Sequence, residues 1–194
     1  MMNIAITRAA EGFPRRAFKV GDIRRMIDAG VLREDEKFEL IGGEIVMMAA
    51  KGFAHELVKS HLNVAIARAL PDTSVLLPET SLQLADDVLV EPDLAVISRA
   101  AFKPGPENFA RPPDVQLVIE IAVSSLSYDR GLKARLYARH NIREFWVVDA
   151  KERTAWVHTG PSGDGWASIV ERGPKDALTT QALPGFSIHL GEIE

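Results

Sequence analysis

Glu120 is the only charged residue in the run Val115-Gln-Leu-Val-Ile-Glu-Ile-Ala-Val-Ser-Ser-Leu126. A stretch this apolar belongs to a strand covered on both faces. A carboxylate placed there loses most of its hydration, so it must be paired, bind a cation or become protonated. Period-two alternation puts Gln116, Val118, Glu120 and Ala122 on one face and Leu117, Ile119, Ile121 and Val123 on the other. One face is fully apolar and the other carries the carboxylate. Taken alone, the strand fits a functional carboxylate and a buried Glu–Arg pair that holds the fold equally well.

A second acidic feature is Glu91-Pro-Asp-Leu-Ala-Val-Ile97, where two carboxylates flank a proline at the mouth of an apolar strand. Pro92 has no N–H for a ladder, so pairing begins after it and Asp93 stands at the strand entrance. From there its side chain can reach a cleft or cap a local backbone N–H. A cation lies close by in sequence. Asp129, Lys133 and Tyr137 fall at i, i+4 and i+8 of a helix, on one face, with Leu132 and Leu136 beside them. That face turns partly inward and carries Lys133 with it, although an Asp129–Lys133 surface pair is the simpler use of the same spacing. Two carboxylates and a lysine share one chemical logic. Hard oxygen ligands suit Mg²⁺ or Mn²⁺, and such an ion polarises a phosphoryl oxygen while the lysine orients water and offsets developing charge.

Six segments in order resemble the Uma2 family, which groups with the PD-(D/E)XK, restriction-endonuclease-like proteins. They are Phe38-Glu-Leu-Ile-Gly-Gly-Glu44, His55 opening a helix, Glu91-Pro-Asp-Leu-Ala-Val96, Val118-Ile-Glu-Ile-Ala-Val-Ser124, Asp129-x-x-x-Lys133-x-x-x-Tyr137 and Ile142-Arg-Glu-Phe-Trp-Val-Val-Asp149. The resemblance covers about Asp22 to the C-terminus. It implies a restriction-endonuclease-like core and a metal-dependent phosphodiesterase site. Asp93 and Glu120 match the metal ligands, and a backbone carbonyl near Ile121 would complete the shell. The lysine usually found two residues after the glutamate would fall at Ala122, and Lys133 on the next helix matches the lysine this family carries instead. Glu39 and His55 match further positions near the site, and Tyr137 is expected to pack beside or hydrogen-bond Lys133.

The elements that must position these residues follow from pattern. Val20–Ala29 and Gly52–Leu70 read as helices, the second ending before Pro71. Lys37–Met47 reads as a hairpin around Gly42-Gly43. Strands are expected at Val75–Leu77, Ser81–Leu84, Val88–Ile97, Val115–Val123 and Glu144–Asp149, with a hairpin at Thr154–Thr159 and Trp166–Glu171 and a last strand at Phe186–Leu190. A Pro-rich loop covers Lys103–Pro113. The helix Asp129–His140 joins two apolar strands, which suggests a right-handed crossover and a parallel pair. The fold expected is α+β with an α/β core. A mixed sheet is flanked by helices, with additional N- and C-terminal hairpins, as an arm (residues 1–20) and one domain (21–194).

Composition bounds the rest. The chain has 194 residues, 46% hydrophobic, with no cysteine, which removes disulfides, thiol nucleophiles and Cys-ligated metals. The five histidines show no zinc-motif spacing. No Gly-x-Ser-x-Gly elbow is present. No apolar run approaches the ~18 residues of a membrane helix, and Met1–Ala10 lacks a secretory pattern, so a cytoplasmic protein is expected. The net charge is −4, which does not advertise nucleic-acid binding, yet Arg130–Arg143 holds five cations and no acid. Arg130, Arg135 and Arg139 are available to a nucleic-acid backbone, although a solvated helix face explains them as well. The reading is a Mg²⁺- or Mn²⁺-dependent endonuclease acting on DNA, expected to be a homodimer. A nuclease-fold protein that binds nucleic acid or protein without catalysis, and a hydrolase of other phosphate esters, stand beside it.

Overall fold

The computed structural model describes residues 16–33, 35–102 and 109–193. Most of the expected N-terminal arm, and residues 103–108 of the Pro-rich loop, lie outside them. The described residues fall into two compact units, the first within residues 1–49 and 81–91 and the second within residues 50–80 and 92–194.

The first unit holds α1 (Val20–Asp28), β1 (Phe38–Ile41), β2 (Glu44–Met47), β4 (Leu82–Ala85) and β5 (Val88–Val90). Its four strands form an antiparallel sheet in the order β2-β1-β5-β4. Gly42 and Gly43 turn the hairpin with φ of 59° and 81°, the left-handed pair a two-residue primed turn requires. Gly43 has a second constraint, since a Cβ there would lie 2.5 Å from the Ala17 Cβ. Val20, Ile23, Leu40, Leu82, Val88 and Val90 are buried and form this unit's apolar centre.

The second unit carries α2 (Phe53–Ala69), β3 (Ser74–Pro78), β6 (Leu94–Ser98), β7 (Val115–Ala122), β8 (Glu144–Asp149), β9 (Thr154–Ser162) and β10 (Gly165–Arg172). The strand order is β10-β9-β8-β7-β6-β3. Among the described strands only β7 and β8 run parallel, and the helical segment between them makes the crossover expected from sequence. That segment is α3 (Leu126–Tyr128), a π-helical turn (Asp129–Lys133) and α4 (Ala134–Arg139). It ends at Asn141, which takes a left-handed φ of 58°. Helix α2 ends at Leu70, held extended ahead of Pro71.

The two faces of β7 divide as alternation requires. Leu117, Ile119 and Ile121 join Trp146, Val148 and the α2 residues Val58, Leu62 and Ile66 in the main core. Each such side chain, fully buried, contributes roughly 1.5–3 kcal/mol. On the opposite face Tyr137 packs on Phe145 with ring centroids 4.7 Å apart. Phe145 in turn lies 5.2 Å from His158 and 6.2 Å from Trp166.

Three expectations need correction. Val88–Ile97 is not one strand, because Glu91-Pro92-Asp93 breaks it into β5 and β6, which belong to different sheets. The additional N-terminal hairpin, β1 with β2, lies in the smaller sheet, as an α+β fold with extra hairpins requires. Phe186–Leu190 forms no strand. It makes a single bridge, Leu178 to Ile188, and then a 3-10 turn at Leu190–Glu192, while Phe186 and Leu190 still fill the core. The crossover helix begins at Leu126, three residues earlier than expected, and contains the π turn. Among the described residues no helix is long and apolar enough to cross a membrane.

Candidate active site

Two neighbouring strands of the second unit bring the carboxylates together. Leu94 of β6 pairs with Ile119 of β7 in antiparallel register, so the next position places Asp93 opposite Glu120. Residues opposite one another in such a pair present their side chains to the same face. Both are buried, Asp93 at 3% and Glu120 at 6% exposure.

Each carboxylate is held by a different helical element. Lys133 Nζ donates to Glu120 Oε1 at 2.9 Å, and the Tyr137 hydroxyl donates to the same oxygen at 2.8 Å. Tyr137 therefore does more than pack beside the lysine, because it shares the lysine's acceptor. Lys133 is itself buried, at 3% exposure. The i+4 spacing placed these side chains on one face, and the wider π turn still delivers both to Glu120. Asp129, on the same face, accepts a hydrogen bond from the Ser125 hydroxyl at 2.6 Å.

Asp93 is gripped on both oxygens. Its Oδ2 accepts the Ile121 backbone N–H at 2.7 Å. Its Oδ1 faces His55 Nε2 at 3.0 Å and Lys51 Nζ at 2.7 Å. His55 sits in the first turn of α2, and its Nδ1 faces Glu56 Oε1 at 3.1 Å. Burial pushes the Asp93 carboxyl up, but His55 and Lys51 together outweigh it and hold it below the ordinary aspartate range.

The structure thus brings together Asp93, Glu120, Lys133, Tyr137, His55 and the Ile121 backbone. Glu39 belongs to the first unit, where its buried carboxylate accepts the Glu91 N–H at 2.9 Å. Of the basic island, only Lys133 is buried. The exposed arginines are partly committed, since Arg130 lies over the Trp156 ring at 3.9 Å and Arg139 makes two bonds to Asp164, at 2.8 and 2.7 Å. Arg135 is exposed.

Sequence reading missed Lys51, Lys59 and Glu79. Lys51 and Lys59 approach the same Glu79 oxygen, at 2.8 and 2.7 Å. Lys59 follows His55 at i+4 on α2, so helical periodicity alone places it beside the histidine. Lys51 precedes the helix in an unpatterned loop, and no spacing rule reaches it. Burial works against the Lys51 ammonium, but Asp93 and then Glu79 hold it above the usual lysine range. Hydrogen bonds from Lys51 and Lys59 hold Glu79 down at about 2.

The sign of the resulting pH dependence is fixed. A carboxyl with a lowered folded-state pKa stabilises the fold above its unfolded value, and that stability is lost as pH falls through the folded value. For Glu79 the window runs from the unperturbed 4.5 to about 2. Urea midpoints measured from pH 6 to pH 2 should therefore place Glu79→Gln below wild type at pH 6, with the gap closing toward pH 2. A gap that stays constant across this range would contradict the assignment.

Comparison with known proteins agrees with this architecture. A solved structure, "a putative nuclease belonging to DUF820" from Anabaena variabilis, shares the fold at a TM-score of 0.67. Its sequence identity is 15%, and the match covers 86% of this chain and 94% of that one. No curated protein sequence matches the chain. The family model of Uma2, described as "Putative restriction endonuclease", matches residues 22–191. That span takes in Glu39, His55, Asp93, Glu120, Lys133 and Tyr137 alike, and the chain belongs to the Uma2 family.

Proposed function

We propose that the protein is a divalent-metal-dependent endonuclease that hydrolyses DNA phosphodiester bonds. The observation that carries this reading is Asp93, one residue before β6, accepting the β7 Ile121 N–H beside Glu120, with a buried lysine on the second carboxylate. Family membership supports the nuclease class, and metal and DNA are the finer part of the proposal.

The donor set fits Mg²⁺ or Mn²⁺. Among the described residues no group of three or more His, Asp and Glu side chains is arranged to hold an ion. Mg²⁺ does not require one, since it typically keeps several waters and binds one or two carboxylates together with substrate phosphate. Asp93, Glu120 and the Ile121 carbonyl would hold it. When bound, the ion polarises the phosphoryl oxygen and acidifies its water.

The chain's own residues supply the rest. Lys133, as an ammonium, donates and cannot accept, so it orients the attacking water and offsets charge on the phosphate rather than acting as base. Tyr137 fixes the Glu120 oxygen that Lys133 also uses. His55 and the Ile121 N–H fix Asp93 from opposite sides. As the water oxygen bonds to phosphorus the phosphodiester P–O bond breaks; the water's proton passes to solvent and the departing sugar oxygen takes a proton from solvent, leaving a phosphomonoester and a free hydroxyl. Arg130, Arg135 and Arg139 are the cations offered to the DNA backbone, and a homodimer is the assembly expected to address both strands.

One observation favours a second reading, a nucleic-acid-binding module without catalysis. Each carboxylate already carries an ammonium partner, Lys51 on Asp93 and Lys133 on Glu120. Incubation of supercoiled plasmid with protein and Mg²⁺ or Mn²⁺ separates the two. Nicking that chelation abolishes is the expected result. Intact plasmid that is retarded in a gel would support the binding module.

A further inference from the structure

Lys51 stands between two acceptors. Its Nζ lies 2.7 Å from Asp93 Oδ1 and 2.8 Å from Glu79 Oε1. We propose that the Lys51 ammonium is a built-in competitor for the divalent cation at Asp93, and that Glu79 is the seat to which it withdraws when the cation binds. This rests on the metal reading above and adds a residue that controls occupancy of that site.

The argument begins with charge. Asp93 and Glu120 carry two negative charges, and Lys51 and Lys133 balance them. A divalent ion added to a balanced and largely buried set leaves an uncompensated excess of positive charge unless an ammonium departs. Lys133 is poorly placed to depart, because its side chain is 4% exposed and its acceptor is shared with Tyr137. The Lys51 side chain is 23% exposed and already touches a second carboxylate. Its flexible stem allows the ammonium to leave Asp93 without moving the backbone.

Glu79 is prepared for this role. It holds a left-handed φ of 47°, and its N–H donates to the Asp93 carbonyl at 3.2 Å, which anchors it beside Asp93. Its present load is shared, because Lys59 also bonds Glu56 Oε2 at 2.7 Å. If Lys51 settles fully on Glu79, Lys59 keeps a carboxylate. The ion pairs are thus redistributed rather than broken.

Calorimetric titration of Mg²⁺ and Mn²⁺ into the full chain, without nucleic acid, tests the proposal through two variants of opposite sign. Lys51→Met is expected to tighten binding by at least about tenfold, since it removes a cation close to the site. Glu79→Gln is expected to weaken it, because the ammonium then has Asp93 as its remaining carboxylate. Lys51→Arg, which keeps the charge, should stay near wild type, and Asp93→Asn should lose binding. Circular dichroism establishes that each variant is folded. Lys51→Met should also melt lower than wild type without metal and gain more from its addition. Binding by Lys51→Met where wild type shows none would support the proposal. If wild type binds, Asp93→Asn does not, and Lys51→Met is unchanged or weaker, the competitor role is overturned while the metal site stands. If folded wild type and folded Lys51→Met both fail to bind, both readings fall.

Discussion

Glu120→Gln is expected to lower the rate of metal-dependent plasmid cleavage by about a thousandfold or more, the scale on which loss of a preorganised charged group is felt. The substitution keeps the shape of the side chain and an oxygen for the Tyr137 hydroxyl. It removes the negative charge that would hold the cation and that now pairs with Lys133. The loss should fall on kcat, because the carboxylate serves the reacting centre rather than the distant DNA backbone. Plasmid retardation in a gel should survive, since the arginines of the crossover helix are untouched. A variant that cleaves within about tenfold of wild type would remove Glu120 from the chemistry.

The second large effect concerns the fold. Lys133→Met is expected to destabilise the protein by about 3–5 kcal/mol, the cost of leaving a buried charge without its partner. Glu120→Gln should also destabilise, because it takes the Glu120 charge away from the Lys133 ammonium at 3% exposure. The double variant Glu120→Gln with Lys133→Met should recover most of the loss, because neither member of the pair then carries a charge and the Tyr137 hydroxyl keeps an acceptor. Urea unfolding of the four proteins gives the coupling directly. Effects that simply add would show that Lys133 and Glu120 do not act as a pair. The two experiments together separate the chemical role of this pair from its structural one.

The same residues show what a sequence discloses. Glu120 was legible because an isolated charge in an apolar run contradicts its surroundings, and period-two alternation assigned its face. The parallel pairing of β7 and β8 was legible because only a helical crossover fits between them. Gly42-Gly43 declared its turn through the φ values it permits. Pro92 declared that pairing restarts after it, but not that β5 and β6 serve different sheets, because proline marks a break and says nothing of where each side goes. Phe186–Leu190 has strand-like composition, yet its burial is satisfied by a loop lying on the core, and burial does not require a ladder. Lys51 was invisible for a stronger reason. Its partners Glu79 and Asp93 lie 28 and 42 positions away, and only the packing of α2, β3 and β6 brings them near.

The π-helical turn has a consequence for how relatives of this chain are aligned. Such a turn holds one residue more than an α-turn, so it can lose a residue and rewind as ordinary helix. A relative one residue shorter between its glutamate strand and its lysine would still deliver that lysine to the same carboxylate. Fixed spacing is therefore the wrong ruler for this motif, and a one-residue gap placed within Asp129–Lys133 is the insertion or deletion that the backbone tolerates most easily.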